Sequence, residues 1–228
     1  HIEMGFSGAD GDPSLADLIN KLAAIDRYPA LFTLAFGDSA ITEPRLQSAL
    51  AQFIRSIESF DAPYDVGRAN HRDNQDFDNF TAAENRGKRL FMAPPNDGGA
   101  GCAGCHRPPE FDIDPNTRNN GVINAIDGGT DLTNTRSPSL RDLVNPAGVP
   151  NGGLMHNGAF ESLEAVIEHY NRIPEDNDRL DQRLRRPGGG LQRLNFSEAQ
   201  KTDLVEFLKT LTGSAVYTDP RWSDPFAL

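Results

Sequence analysis

Cys102-Ala103-Gly104-Cys105-His106 is the stretch from which the rest of the chain is read. Two cysteines three apart, followed at once by a histidine, form the attachment signature of a c-type haem. The two thiols make thioethers to the haem vinyl groups, and the next residue presents an imidazole to the iron as proximal ligand. These are the only cysteines in the chain. Two other chemistries use the same residue types. A thioredoxin-like redox pair belongs in a βαβ setting, and half of a zinc site needs a second pair of ligands. The sequence shows neither setting, so covalent haem c held by Cys102, Cys105 and His106 is expected.

Outward from the motif, the 228 residues are enough for one large domain or two small ones. A hydrophobic share of 37% with 24% charged residues describes an ordinary globular composition. No run of about 18 apolar residues is present, so no membrane span is expected. No charged n-region followed by an apolar h-region is visible, and the chain reads as mature or truncated. Covalent haem attachment implies assembly outside the bacterial cytoplasm, which makes the periplasm the expected compartment. The net charge of −11 argues against a nucleic-acid partner and suits a basic or mixed-charge protein.

Hydrophobic periodicity outlines the helices. Leu15, Leu18, Ile19, Leu22 and Ile25 recur at helical spacing after Asp12-Pro13-Ser14, and Tyr28-Pro29 is expected to stop that helix. Residues 30–37 read as a short apolar connector. A stronger helix follows, with Thr42 as cap, Pro44 in the first turn, and Leu46, Leu50, Phe53, Ile54 and Ile57 on one face. Residues 61–80 are polar and read as a linker, with His71 solvated and a domain boundary near 70–76. Thr81 and Glu84 form a capping box that opens a helix through Phe91, with Met92 as core, and Pro94-Pro95 breaks it. Residues 107–150 are long and irregular, and a stretch of that kind is expected to wrap over something. Leu163, Val166, Ile167 and Tyr170 mark another short helix, and 176–190 reads as a surface loop. Ser197 with Gln200 repeats the capping box before Leu204, Phe207, Leu208 and Leu211, with Gly213 as the expected C′ residue. The expected fold is therefore mainly α, with no strand longer than a few residues.

An iron with His106 on one side has a sixth position to fill. C-terminal to the motif the candidates are Met155, His156, His169 and Tyr170, and spacing alone favours Met155 and His156 because Met and His ligate electron-carrying haems. The acidic pairs Asp112/Asp114 and Asp176/Asp178 lack the spacing of an EF-hand and read as solvated loops.

Several stretches resemble bacterial dihaem cytochrome c peroxidases and their MauG-type relatives. They are Leu154-Met155-His156-Asn157-Gly158, Ser162-Leu163-Glu164, His169-Tyr170-Asn171, Arg136-Ser137-Pro138-Ser139-Leu140-Arg141 and Phe207-Leu208-Lys209-Thr210-Leu211-Thr212-Gly213. Earlier in the chain, Leu31-Phe32, Ala35-Phe36-Gly37-Asp38 and Ile41-Thr42 fit the same pattern, in order. The resemblance implies a cytochrome c-like haem domain over residues 73–228, preceded by the C-terminal part of a first, incomplete cytochrome c-like domain over 1–72. It also moves the distal ligand to Tyr170, fourteen positions after His156, where ordinary peroxidases carry Met and the MauG type carries Tyr. A phenolate is a hard anionic ligand that favours ferric and higher-valent iron.

The resemblance further implies that Glu3, in Ile2-Glu3-Met4-Gly5, is the glutamate above the first, peroxide-binding haem, where it would move a proton between the peroxide oxygens. That haem and its own motif would lie upstream, so a second haem is expected in a preceding segment, with which the chain would associate, or it would form a homo-oligomer. Trp222 is then tail packing rather than the tryptophan between the haems. A calcium ion between the haems would use main-chain oxygens of Asn151 and Gly153. The implied activity uses hydrogen peroxide to form high-valent iron and oxidise a partner protein, with aromatic residues as one target. The alternatives are an ordinary peroxidase fed by a small cytochrome and a one-haem electron carrier.

Overall fold

The computed structural model describes residues 8, 11–111, 114–126 and 128–224. Among these the regular structure is helical, and β pairing is limited to isolated bridges. The chain divides into two compact units, His1–Glu58 and Ser59–Leu228.

The first unit contains α1 (Leu15–Ala23), α2 (Arg27–Phe36) and α3 (Glu43–Ser56). Ser14 caps α1 through a reciprocal box with Asp17, with both polar groups three residues apart. Residues 30–37, expected as a connector, lie mostly inside α2. Pro29 does not stop a helix here. It occupies the first turn of the next one, where its missing N–H has no intrahelical partner to lose. Gly37 ends α2 in the left-handed conformation, at φ 88°, and its N–H donates to the Thr33 carbonyl. Arg45 forks onto Asp38 at 2.5 and 2.8 Å and ties the start of α3 to that turn. Phe32 is the one buried hydrophobic residue of this unit among the described residues.

The second unit is built on α5 (Ala82–Met92) crossing α7 (Glu198–Lys209). Both start with the capping boxes read from sequence, Thr81 with Glu84 and Ser197 with Gln200. The crossing is close because α5 carries Gly87. A Cβ there would lie 1.9 Å from the Asp203 carbonyl oxygen, so only glycine lets the backbones approach. Beside it Arg86 clamps the Asp203 carboxylate at 2.7 and 2.8 Å. Tyr64, Phe77, Phe80, Phe91, Phe111 and Phe207 form a connected aromatic core, with ring centroids 4.9 to 6.5 Å apart in mostly tilted or edge-on pairs. Met92 packs against this core, as expected of it.

Residues 61–80 are not a solvated linker. They hold α4 (Pro63–Arg68), and Tyr64 and Phe77 are fully buried in the second unit. The cause lies in distant partners. Buried Asn85 accepts from the Phe77 N–H at 2.8 Å and donates to the Phe77 carbonyl at 3.0 Å, replacing a strand neighbour for that residue. Asp61 accepts from Ser214 N, Ser214 Oγ and Ala215 N at the start of α8 (Ala215–Thr218). Arg141 makes a bidentate pair with Asp65 at 2.8 and 2.7 Å. His71 is not merely solvated: it lies 3.1 Å from Asp78 and stacks against Phe77. Gly213 is not the C′ residue of α7 either. The helix ends at Lys209, and Gly213 is needed because a Cβ would meet Asp61 Oδ1 at 2.1 Å. Trp222 is partly buried, with Arg221 4.8 Å above its ring.

Candidate haem site

The C-x-x-C-H segment leaves α5 through two short turns and forms a 3-10 turn over Cys102–Gly104, closed by the Cys105 N–H and His106 N–H donating to the Cys102 carbonyl. Gly101 enters it at φ 72°, a left-handed conformation that suits glycine. The turn sets both thiols, unpaired and partly buried, beside one imidazole. Burial pushes the Cys102 thiol up to about 12 and raises Cys105 as well, against a lowering contribution from Arg183. An attacking redox cysteine is instead held below its ordinary value. Among the described residues no group of three or more His, Cys, Asp and Glu side chains is placed to hold a metal ion.

His106 Nδ1 lies 2.9 Å from the Pro138 carbonyl. A carbonyl can only accept, so Nδ1 carries the proton and Nε2 keeps a free lone pair. Burial lowers the imidazole to about 4, which keeps it neutral at ordinary pH. A neutral ring with a fixed tautomer beside two reduced thiols is the donor set a c-type haem requires, and these residues fit that group.

Tyr170 sits on α6 (Leu163–Asn171), whose Ser162 cap accepts from Ala165 N at 3.1 Å. Burial holds its phenol well above the ordinary value, and the Cys102 and Cys105 thiols are close enough to add to that rise. The Asn120 side chain is near enough to the Tyr170 hydroxyl to offset part of that rise, and its Nδ2 donates to Met155 Sδ at 3.6 Å. Tyr170 and Met155, two of the distal candidates, thus both lie near one amide. His169 is engaged elsewhere. It is buried, its Nε2 donates to the Asn120 carbonyl at 2.8 Å, and its ring stands edge-on to Phe160. His156 Nε2 lies 3.4 Å from Asp131 and lines a surface recess with Ala125, Ile126 and Asn157. Glu3 lies outside the described residues.

At the calcium candidates, Asn151 donates its side-chain amide to the Asp142 carbonyl at 2.7 Å and to the Tyr217 hydroxyl at 2.5 Å. Gly153 packs against the Gly158 backbone, where a Cβ would meet the carbonyl oxygen at 2.5 Å. Both are exposed.

Three residues of the site carried no signal in the sequence. Asn120, in the irregular stretch, is one. Asp114 is another. It was expected in a solvated loop, but it is buried and accepts from Arg183 at 2.8 Å. Arg183 is the third, in the 176–190 segment read as a surface loop. It also holds Asp181 and reaches the carbonyl of Gly104, inside the attachment turn.

Comparison with known proteins gives the family. Di-haem cytochrome c peroxidase (CCP_MauG) matches residues 1–73. The methylamine utilization protein MauG of Methylophilus methylotrophus is 30% identical over 210 residues, covering 89% of this chain and 57% of that protein. MauG of Methylorubrum extorquens is 32% identical over 205 residues, covering 85% and 52%. The cytochrome-c peroxidase IdrP2 of Pseudomonas sp. is 26% identical and covers 90% and 58%. The chain thus spans little more than half the length of these relatives. Among solved structures, a MauG-like protein associated with microbial copper homeostasis superposes with a TM-score of 0.63 at 26% identity, covering 93% of this chain and 66% of that one. With matches that run through both units and a mainly helical, cytochrome c-like fold, the chain belongs to the di-haem cytochrome c peroxidase and MauG family.

Proposed function

We propose that this chain is the second-haem portion of a periplasmic oxidoreductase of the MauG type, which uses hydrogen peroxide to oxidise a partner protein, aromatic side chains being the target class. The observation that carries the reading is the Tyr170 hydroxyl, buried within electrostatic reach of both motif thiols and near the Asn120 amide. When bound, haem c supplies the cleavage of peroxide and the storage of its oxidising equivalents. The chain's own residues hold and orient it. Cys102 and Cys105 tether it, and His106 presents Nε2 because Pro138 holds the proton on Nδ1. Tyr170 would offer a phenolic oxygen to the bound group. Burial keeps that oxygen protonated unless a cation binds there, so ionisation at Tyr170 belongs to the loaded protein. An anionic oxygen ligand lowers the potential, whereas a thioether raises it. Glu3 would shuttle the peroxide proton at the first haem, carried by a preceding segment. Calcium at Asn151 and Gly153 would be held through main-chain oxygens, with water completing its shell.

A second reading has its own support. Met155 Sδ accepts from the same Asn120 amide, and a Met-ligated haem suits a peroxidase fed by a small cytochrome. Redox titration of the haem-loaded protein separates the two. Tyr170→Met raises the midpoint potential and changes the axial-ligand absorption bands, while Met155→Leu leaves both unchanged. The reverse pattern removes Tyr170 as ligand and leaves the ordinary peroxidase.

A further inference from the structure

We propose that Arg183 is the positioning residue of the haem-attachment turn and that its charge sets the potential of the haem bound there, an inference that rests on the haem reading above. Arg183 uses all three guanidinium nitrogens. Nε and Nη2 fork onto Asp181 at 2.9 and 2.8 Å, while Nη1 donates to Asp114 Oδ2 at 2.8 Å and to the Gly104 carbonyl at 2.9 Å. Gly104 stands between the two motif cysteines and 79 residues from Arg183 in the chain, so this contact is made only by the folded protein. The Cβ position of Gly104 is 4.0 Å from Arg183 Cδ, so the guanidinium stem packs on the turn as well as bonding to it.

The charges are arranged asymmetrically. The Asp114 and Asp181 side chains are only 3% and 9% exposed, and a carboxylate so far from water needs a cation against it. Arg183 answers both, while Arg107 approaches Asp114 at 3.9 Å from a mostly exposed position. Asp181 is fixed further by the N–H groups of Arg118 and Arg183, each at 2.9 Å. One positive and two negative charges are therefore held rigidly beside the haem tether. A positive charge near an iron favours its reduced form and raises the potential, and a carboxylate does the opposite.

A merely structural clamp and a potential-setting one differ in the sign of their effects. In the haem-loaded protein, Arg183→Met leaves two uncompensated carboxylates and lowers the midpoint potential. Asp181→Asn removes one negative charge while keeping Arg183 on Gly104 and Asp114, and raises it. The axial-ligand bands stay in place in both variants, and haem per chain stays at the wild-type ratio in Asp181→Asn. Midpoint potentials that do not move, or that move in the same direction in both variants, overturn the inference. If Arg183→Met does not load haem, Asp181→Asn decides alone: a raised potential supports the role and an unchanged or lowered one removes it. A wild-type protein that carries no covalent haem overturns the haem reading and this inference together. A haem-loaded wild type whose potential ignores both substitutions overturns this inference only.

Discussion

The two units carry equally clear helical periodicity and bury very different amounts of it. In α1 and α3 no residue is buried, although both are amphipathic, and Ile54, Phe53 and Leu50 of α3 are 66%, 49% and 48% exposed. In the second unit Phe91, Phe207 and Leu211, spaced in the same way, are at most 1% exposed. An apolar stripe says that a helix can be covered, and only a partner element covers it. The second unit has that partner in its own chain, because Gly87 lets α5 and α7 touch and the 59–80 segment closes over the crossing. Among the first unit's described residues, Phe32 is the one buried hydrophobic side chain, with the Phe36 ring 5.5 Å away.

Substitutions can break this contrast. Phe207→Ala empties the centre of the aromatic core, where four other rings meet, and is expected to cost about 3–5 kcal/mol in chemical denaturation of the haem-loaded protein. Gly87→Ala pushes a methyl into the Asp203 carbonyl, which cannot step aside without moving α7, and should cost roughly 1–3 kcal/mol. A neutral result at either position means that the α5–α7 crossing is looser than described.

An acid titration sharpens the same contrast. Hydrogen bonds from Arg183 and from the Arg118 and Arg183 N–H groups hold Asp181 down at about 2, against an ordinary value of 3.8, despite the opposing effect of burial. A depressed carboxylate stabilises the fold fully above its unfolded value and loses that contribution as pH falls through its folded value. Stability should therefore drop between about pH 4 and pH 2, by about 1 kcal/mol from this group once solvent screening is allowed for, and Asp181→Asn should flatten that limb. An unaltered acid limb in Asp181→Asn would place the titration elsewhere. Phe53→Ala on α3 makes the smallest change, within about 0.5 kcal/mol of wild type. A loss comparable to that of Phe207→Ala would show that the exposed face of α3 is covered in solution.

What could be read before folding was whatever depends on neighbours a few residues away. The two capping boxes at Thr81 and Ser197 need only a partner three positions on, and both are present. The C-x-x-C-H motif sets its two cysteines and its histidine within five residues, and among its described residues the irregular stretch after it holds only turns and isolated bridges. Pro29 shows the limit of local reading, since a proline can end one helix or open the next and only the register of the following turn decides.

By itself, then, the sequence determined the helical class, the helix starts at Thr81 and Ser197, the haem-attachment signature and the likeness to a family. The tertiary structure decided which polar residues are structural. Asp114 and Arg183 looked like loop charges because their partners lie 69 residues apart, and Phe77 looked like part of a linker because its backbone is satisfied by a side chain on α5. It also decided that His169 bonds a carbonyl while Tyr170, one residue later, meets the Asn120 amide. Adjacent residues on a helix point about 100° apart, and what stands in each direction is set by segments distant in the chain.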